Sequence, residues 1–479
     1  MSKVRTRFAP SPTGFLHVGG IRTALFAYLI AKQTDGDFVL RLEDTDKSRE
    51  VAGSREHLIA SLKALHLDYD EGPDKEGDYG PYVQSERLDI YKTYAHKLIE
   101  KGLAYADPYT SEEIQAYRDA ATASKRAYRY RDNRPENPPV WDGTKPLRFK
   151  SSPKSYTYTD EVMGEITTSP EVIDDIILIK SDGYPTYNFA HIVDDAEMKI
   201  THVIRGQEFI SSMPNFLALY EALEIDRPVF AHLPHIMNEQ GNKKLGKRDG
   251  AKDVLDYIRD GYLPETLDSF IATLGWNDGT EQEVFTMDEL IEKFSLSRVQ
   301  RSGARFDEKR LLWMNGHFIR ELPVDELYKR VEFFWPESAK KQPEAYKMQV
   351  LSLAQDRLKT LKDLPALTSY FFEEPRIDIS LIDENKQLKK LSDEQRADLL
   401  SSAKSKLSLL NGWSADAIQK ALNELLEETG EKPGTLFSLI RIATTWAKFS
   451  PQLNDTLELI GKERTLARID AAATAESSR

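Results

Sequence analysis

The chain has 479 residues, of which 40% are hydrophobic and 30% are charged, and its formal net charge is -13. That length predicts about three to five domains, and the lack of any apolar run of about 18 residues predicts that no segment spans a membrane. Because there is no cysteine and the nine histidines show no metal-ligand spacing, disulfides are excluded and no structural zinc is expected.

The first elements predicted along the chain are a strand, a turn and a helix. The opening segment MSKVRTRFAP lacks the apolar core of a secretory signal, so we expect a cytoplasmic protein. Residues 4–8 alternate in the manner of a strand, which Pro10 ends. Apolar residues recur at helical spacing from Gly19, and DFVLRLED then indicates a second strand that ends at Glu43. This order predicts an α/β protein with a Rossmann-type parallel sheet, whose ligands lie at the carboxyl ends of the strands.

The turn between the first strand and the helix has the sequence FAPSPTGFLHVGG. A helix amino terminus offers unpaired N–H groups and partial positive charge, glycine lets a phosphate approach the backbone, and a histidine adds a hydrogen bond. Such a turn can hold a nucleotide, and an ordinary strand-to-helix turn is an equally good interpretation of this stretch alone.

The composition changes between about residues 105 and 186. Three prolines within residues 135–139 and many tyrosines separate short strand-like pieces such as PLRFK, which predicts an α+β insertion. Apolar α/β character resumes at YPTYNFAHIVDD. Helical patterns dominate from about residue 254, as in LDSFIATLGW and DAIQKALNELLEE, and the last ten residues are predicted to fray.

Two segments concentrate positive charge. Five basic side chains fall within residues 125–134, and five more within residues 243–252, where the loop GNKKLGKRDG resembles a mobile loop that brings ammonium groups to phosphate. For either cluster alone, solvated surface charge is the favoured interpretation.

Four polar side chains are predicted at strand ends, namely Arg7, Glu43, Tyr187 and Arg205. A guanidinium group binds a carboxylate in bidentate fashion, so two arginines there suit a substrate that carries carboxylates. Structural ion pairing is the equally weighted alternative.

Five motifs occur together in the chain: FAPSPTGFLHVGG, RLEDTD, DGYPTYNFAHIVDD, VIRGQE and KKLGKR. In their order and spacing the chain resembles the bacterial glutamyl-tRNA synthetases over nearly its whole length. Residues 17–20 are similar to the HIGH signature of class I aminoacyl-tRNA synthetases, and residues 244–248 are similar to their KMSKS signature. APSP before the histidine favours this branch over the glutaminyl and eukaryotic-type enzymes. The long segment after Arg259 disfavours a shortened paralogue that modifies a tRNA base.

The resemblance implies a Rossmann-type catalytic domain with an α+β insertion, followed by all-helical anticodon-binding domains. We therefore predict a split catalytic domain (1–104 and 187–240), an inserted acceptor-stem-binding domain (105–186), a stem-contact domain with the KMSKS-like loop (241–322) and two helical anticodon-binding domains (323–376 and 377–479).

The resemblance also implies the reaction, which is ATP-dependent attachment of L-glutamate to tRNA(Glu) through glutamyl-adenylate, with Mg²⁺ accompanying the nucleotide. No side-chain nucleophile is needed, because the rate depends on positioning and on neutralising phosphate charge. The family pattern assigns the ATP site to His17, Gly19, Gly20, Glu208, Lys244 and Lys247, of which His17, Lys244 and Lys247 are the catalytic residues. It assigns the glutamate site to Arg7, Ser11, Glu43, Tyr187, Asn188 and Arg205.

The resemblance further implies that tRNA binds across the insertion and the helical half, and that little pyrophosphate exchange occurs without it. Arg357 is similar to the family arginine associated with charging only tRNA(Glu), although a phosphate contact or a solvated charge is an open alternative. Arg441 is a second candidate for the anticodon. We expect a monomer without a membrane partner.

Two departures from the family pattern matter. Many members carry a cysteine zinc cluster near residues 105–130, whereas this region must fold without one, and Gly246 stands where the loop signature normally has serine. A nucleotidyltransferase acting on a small metabolite and an inactive RNA-binding scaffold remain as alternatives. Turnover without RNA would favour the first, and intact His17, Arg205 and Lys247 argue against the second.

Overall fold

The computed structural model describes residues 3–246 and 252–478, and it divides into two compact units. Unit 1 comprises Met1–Ile258 and Pro264–Glu308, and unit 2 comprises Arg259–Leu263 and Lys309–Arg479. Among the helices of the described residues, none combines the length and apolar character that a bilayer crossing requires.

Unit 1 contains both strands and helices. Its strands are β1 (Arg5–Phe8), β2 (Asp37–Leu40), β3 (Ala104–Ala106), β4 (Leu147–Phe149), β5 (Thr157–Asp160), β6 (Gly164–Thr167), β7 (Ile177–Ile179), β8 (His202–Gly206), β9 (Val229–Leu233), β10 (Ile236–Met237) and β11 (Ala304–Arg305). Its helices are α1 (Val18–Lys32), α2 (Ser54–Ala64), α3 (Leu88–Glu100), α4 (Ser111–Ala123), α5 (Tyr187–Glu197), α6 (Met213–Leu223), α7 (Val254–Arg259), α8 (Pro264–Ala272) and α9 (Met287–Lys293).

The main sheet of unit 1 has six strands in the order β2-β1-β8-β9-β5-β6. All neighbours are parallel except the β5–β6 hairpin, and Arg205 of β8 is in register with His232 of β9. Helices α5 and α6 share one apolar core with β8 and β9, which contains Ile192, Phe216, Val203 and Phe230. The predicted Rossmann-type parallel sheet is therefore confirmed.

The sheet also incorporates part of the predicted insertion. Strands β5 and β6 come from the range 105–186 and complete one edge of the main sheet, while β3, β4 and β7 form a separate three-stranded antiparallel sheet. The separate sheet is held by buried carboxylates: Asp107 accepts hydrogen bonds from Tyr130 and Arg148, and Asp175 accepts them from Tyr105. The domain boundaries within unit 1 remain a prediction.

Strand β1 ends at Phe8, close to the predicted end, whereas β2 ends at Leu40, before the predicted Glu43. Strand β2 ends there because the residues that follow it bond to irregular segments and not to another strand. The backbone N–H of Leu42 donates to Tyr82 O, and that of Glu43 donates to Pro10 O at 3.0 Å. Residues 41–43 therefore stay hydrogen-bonded and extended beside the turn, without the regular ladder of a strand.

Unit 2 is helical in the residues described. Its helices are α10 (Glu308–Glu321), α11 (Val324–Arg330), α12 (Glu344–Ala354), α13 (Leu364–Phe372), α14 (Ser380–Asp383), α15 (Asp393–Ser408), α16 (Ala415–Thr429), α17 (Pro433–Thr445), α18 (Leu453–Ile460) and α19 (Lys462–Ser477). One apolar core lies among α10–α13 and another among α14–α19. The predicted fraying of the last ten residues is wrong, because α19 continues to Ser477 and Arg396 binds the buried carboxylate of Glu476 at 2.6 Å.

Candidate active site

One cavity of about 320 Å³ lies at the carboxyl ends of β1 and β8, beside the amino terminus of α1. The sheet brings these strand ends together, as expected for a parallel α/β fold. Ten of the predicted site residues line it: Arg7, Ser11, His17, Gly19, Gly20, Glu43, Tyr187, Arg205, Glu208 and Lys244. Asn188 is half-buried on α5 and is not among the lining residues, and Lys247 lies outside the described residues.

Arg205, at the end of β8, is surrounded by neutral groups. Its guanidinium donates to His232 Nε2 at 3.2 Å and to Met213 Sδ at 3.0 Å, with His191 Nε2 3.4 Å from Nη1. It also lies over the ring of Phe209, 5.1 Å from the ring centroid. Within residues 3–246 and 252–478, no carboxylate forms an ion pair with Arg205, so its charge is available to a ligand.

Glu43 also lines the cavity and belongs to a buried group of charges. Arg41 donates to Glu43 Oε1 at 3.0 Å and to Asp195 Oδ1 at 2.7 Å, and Arg7 donates to the same Asp195 oxygen at 3.1 Å. Burial raises the pKa of Glu43 to about 7, although the charges of Arg41 and Arg7 oppose the shift. Arg7 is therefore partly neutralised by Asp195, whereas Arg205 is not.

The glycine-rich turn also lines the cavity. His17 is the N-cap of α1, and its Nδ1 accepts from the N–H of Gly19 at 3.1 Å. Any side chain at residue 20 would meet Leu16, because a Cβ there would lie 2.6 Å from Leu16 Cδ1. The predicted helix start is confirmed, and the arrangement leaves the first turn of α1 lined by glycine.

Acidic and basic groups meet where the basic loop leaves β10. Lys244 pairs with Met237 in a short antiparallel bridge, and its Nζ lies 3.6 Å from Glu208 Oε1. Glu208 also lies 3.8 Å from His235 Nδ1. Arg22, which the motif analysis did not single out, lines the same cavity and is held by the carbonyls of Leu274 and Pro234.

Several other contributors were not predicted from the sequence. Arg41 could have been found, because it lies inside RLEDTD and two residues before Glu43. His191 could also have been found, because it lies four residues after Tyr187 on α5 and stacks on it, with ring centroids 4.7 Å apart. His232 and Asp160 gave no local signal. The described residues contain no group of three or more His, Asp or Glu that could hold a metal ion.

Both basic clusters contain exposed side chains in the part of the chain that the structure describes. In the first cluster Lys125 and Arg126 are exposed, whereas Arg129 pairs with Glu171 and Arg134 pairs with Asp175. In the second cluster Lys243, Lys244 and Lys252 are exposed, and Arg248 lies outside the described residues together with Lys247.

Arg357 and Arg441 lie in unit 2. Arg357 ends a short 3₁₀ helix (Gln355–Arg357), is exposed, and forms no ion pair with any carboxylate in the described part of the chain. Arg441 on α17 donates to Ser450 Oγ at 2.9 Å. Burial lowers the pKa of Arg441, and the nearby charge of Arg357 lowers it further. The two arginines are therefore neighbours whose charges repel.

Comparisons with known proteins agree with this geometry. A family model described as tRNA synthetases class I (E and Q), catalytic domain, matches residues 3–313, and a model described as an anticodon binding domain matches residues 326–473. The chain is 40% identical to a glutamate–tRNA ligase of Chloroflexus aurantiacus over 98% of both chains, and 39% identical to one of Clostridium tetani over 98% of this chain and 97% of that protein. It is also similar to the crystal structure of a glutamate tRNA ligase from Elizabethkingia meningosepticum in complex with its amino acid, with a TM-score of 0.87 and 33% identity over 99% of both chains.

Proposed function

The chain belongs to the glutamate–tRNA ligases, a family of class I tRNA synthetases, and we propose that it attaches L-glutamate to tRNA(Glu) through a glutamyl-adenylate formed from ATP. The observation that carries the proposal is the contrast between Arg205 and Arg7. Both line one cavity, but only Arg205 has no carboxylate partner in the described chain. A buried cation of this kind selects a substrate that brings its own carboxylate.

The two ends of the amino-acid site match the two ends of glutamate. Arg205 would bind the side-chain carboxylate, and Glu43 would bind the α-ammonium, with Arg7, Ser11, Tyr187 and Asn188 around them. Glutamine would leave the Arg205 guanidinium without its anion, which costs about two to three decades of selectivity. We therefore propose that no editing step is required.

The nucleotide would occupy the end of the cavity at the glycine-rich turn. His17 and the backbone at Gly19 and Gly20 would contact the phosphates, because the partial positive charge at a helix amino terminus favours anions. The N–H groups of Gly19 and Gly20 donate to His17 Nδ1 and to His17 O in this structure, so a phosphate would replace these partners. Lys244 and Lys247 would neutralise charge on the leaving pyrophosphate, and Glu208 would border the adenosine. Mg²⁺ would accompany the nucleotide and would help to neutralise the charge of its phosphates.

The chemical step needs no protein nucleophile. The substrate α-carboxylate attacks the α-phosphorus of ATP and pyrophosphate leaves, so the protein contributes alignment and electrostatic stabilisation. Transfer RNA would then place its terminal adenosine in the cavity, with the acceptor stem on residues 105–186 and the anticodon on residues 323–479. We further propose that the enzyme acts as a cytoplasmic monomer, which light scattering with and without tRNA checks for the oligomeric state.

The test is an aminoacylation assay with the purified chain, ATP, and either glutamate or glutamine. Each amino acid is supplied with a transcript of tRNA(Glu) or tRNA(Gln), and pyrophosphate exchange is measured with and without tRNA. We expect charging of tRNA(Glu) with glutamate, and little exchange unless tRNA is present. ATP turnover that is independent of tRNA and yields no aminoacylated product would instead favour a nucleotidyltransferase.

A further inference from the structure

We infer that Asp160 and His232 form a positioning pair that orients Arg205 toward the side-chain carboxylate of glutamate and so helps to discriminate against glutamine. The inference rests on the proposed function and assigns a role to two residues outside the cavity lining. Neither belongs to the motifs by which the family was recognised.

The pair is built from three strands of the main sheet. His232 Nδ1 lies 2.6 Å from Asp160 Oδ2, and His232 Nε2 lies 3.2 Å from Arg205 Nε. The parallel register of β8 and β9 places Arg205 beside His232, and β5 brings Asp160 to the other side of β9. Asp160 and His232 are 1% and 0% exposed, so solvent cannot substitute for either contact.

The hydrogen-bonding capacity of Asp160 and Arg205 allows only one tautomer of His232 between them. Arginine has donors and no acceptor, so Nε2 must be unprotonated where it faces Arg205. A carboxylate has only acceptors, so Nδ1 must carry the proton where it faces Asp160. Asp160 therefore fixes the neutral tautomer of His232 that Arg205 requires. Burial lowers the pKa of His232, which keeps the ring neutral.

His191 repeats this arrangement on a second edge of the guanidinium. Its Nδ1 lies 2.7 Å from the carbonyl oxygen of Tyr187 and must be the donor there, which leaves Nε2 as the acceptor facing Arg205. Two neutral acceptors thus hold the guanidinium plane without cancelling its charge. A carboxylate in either position would also hold the plane, but it would neutralise the cation before the substrate arrived.

The two carboxylate oxygens of Asp160 have different hydrogen-bond partners. A substitution at Asp160 can therefore test the tautomer of His232. Oδ1 accepts from the backbone N–H groups of Val162, Met163 and His232, and Oδ2 accepts from the His232 ring. In Asp160→Asn, the three backbone donors keep the amide oxygen on their side. The amide NH₂ then faces Nδ1 and favours the other tautomer, whose Nε2–H points at the N–H of Arg205.

The experiment measures KM for glutamate, KM for ATP and the ratio of kcat/KM for glutamate to that for glutamine. Asp160→Asn should raise KM for glutamate about tenfold or more and reduce the amino-acid ratio, while KM for ATP stays within about twofold. Tyr158→Phe is the matched control, because Tyr158 lies on the same strand two residues away and its buried hydroxyl has no hydrogen-bond partner among the described residues. This control should leave all three quantities unchanged.

Substitutions at His232 separate positioning from folding. His232→Gln retains a side-chain oxygen that can accept from Arg205, whereas His232→Leu has no acceptor, so the Leu variant should have the higher KM for glutamate. The double variant Asp160→Asn with His232→Leu should match His232→Leu alone, because Asp160 acts on Arg205 only through the His232 ring. Three outcomes would each overturn the inference. The first is a double variant in which the two single increases in KM for glutamate multiply. The others are equal KM values for the Leu and Gln variants, and an unchanged KM for glutamate in Asp160→Asn.

The same series distinguishes this inference from the proposed function. Failure of the unsubstituted protein to charge tRNA(Glu) with glutamate would reject the function itself. An active unsubstituted protein whose variants show the overturning pattern would reject only the positioning pair. Circular dichroism melting of every variant accompanies the kinetics, and the comparison of His232→Leu with His232→Gln decides the matter if Asp160→Asn does not fold.

Discussion

Arg41 and Glu43, two residues apart after β2, form a buried ion pair in which Nη2 lies 3.0 Å from Oε1. None of the described residues donates a hydrogen bond to the other carboxylate oxygen, Oε2, although Glu43 lines the cavity. Arg41 therefore orients the carboxylate by one oxygen. The second oxygen is available to the α-ammonium of the substrate.

This geometry predicts a pH dependence of glutamate binding. Because burial raises the pKa of Glu43 to about 7, the carboxylate is charged above that pH and becomes protonated below it. A neutral acid binds an ammonium group weakly, so KM for glutamate should rise as the pH falls from about 8 to about 6. The measurement is KM at saturating ATP and tRNA across this interval.

Glu43→Gln is the variant that identifies the titrating group. It should raise KM for glutamate at every pH and remove most of the acid-side rise, since an amide does not titrate there. KM for ATP is measured in parallel, because His17 and His235 line the same cavity, in which the nucleotide is proposed to bind. A KM for glutamate that stays level through neutral pH would refute the assignment of Glu43 to the α-ammonium.

The second prediction concerns Arg205. Arg205→Ala removes the cation that would pair with the side-chain carboxylate, so KM for glutamate should rise by about a hundredfold or more. KM for ATP should change little, because Arg205 is assigned to the amino-acid site and not to the nucleotide site. Arg227→Ala, at an exposed arginine of unit 1, is the control and should behave as the unsubstituted protein. An unchanged KM for glutamate in Arg205→Ala would reject the assignment.

Local patterns in the sequence predicted those parts of the site that one short segment builds. The Pro10 break and the helix after the glycine-rich turn are dictated by backbone chemistry within about fifteen residues, and both are present. Asp160 and His232 could not be predicted in this way. They are 72 residues apart and meet only because β5 takes the place next to β9.

In helix α5, the spacing of residues along the sequence indicates which side chain lies beside Tyr187. Asn188 follows Tyr187 directly, so it points about 100° away around the helix axis. His191, one turn further on, shares the face of Tyr187 and approaches Arg205. Helical spacing alone therefore favours His191 over Asn188 as the neighbour of the pocket.

The third prediction addresses Gly246 in the KMSKS-like loop. The chain there leaves a short bridge in which the N–H of Leu245 donates to Ile236 O at 2.8 Å. Glycine adds backbone freedom that must be lost when the loop orders over pyrophosphate, at a cost of about 0.5 to 1 kcal/mol. Gly246→Ser should therefore raise kcat about two- to fivefold, measured in steady-state aminoacylation.

Two further variants show whether such a gain belongs to the loop. Gly412→Ser, in unit 2, has open space for its side chain and should leave kcat unchanged. Lys247→Ala should lower kcat by orders of magnitude, because it removes a charge assigned to the leaving pyrophosphate. A slower enzyme after Gly246→Ser would mean that the neighbouring loop residues already compensate for glycine.

The last prediction concerns the choice of tRNA. The anticodons of tRNA(Glu) and tRNA(Gln) differ at their last base, which is C in the first and G in the second, and Arg357 is proposed to read C against G. Its exposure and the absence of an ion pair with a carboxylate in the described chain suit a base contact. A base-reading arginine contributes about 1 to 3 kcal/mol of discrimination, whereas a phosphate contact weakens all tRNAs alike.

Arg357→Gln should therefore lose selectivity between two tRNA(Glu) transcripts that differ only in that base, while its overall affinity for tRNA falls less. The measured quantity is the ratio of kcat/KM for the C and G transcripts. Lys359→Gln, at an exposed cation two residues further along, is the matched control and should lower kcat/KM for both transcripts equally or leave both unchanged. If Arg357→Gln separates the two transcripts as well as the unsubstituted protein does, Arg357 is a phosphate contact and not a base contact. If the unsubstituted protein charges tRNA(Gln) efficiently, the enzyme does not discriminate between tRNA(Glu) and tRNA(Gln).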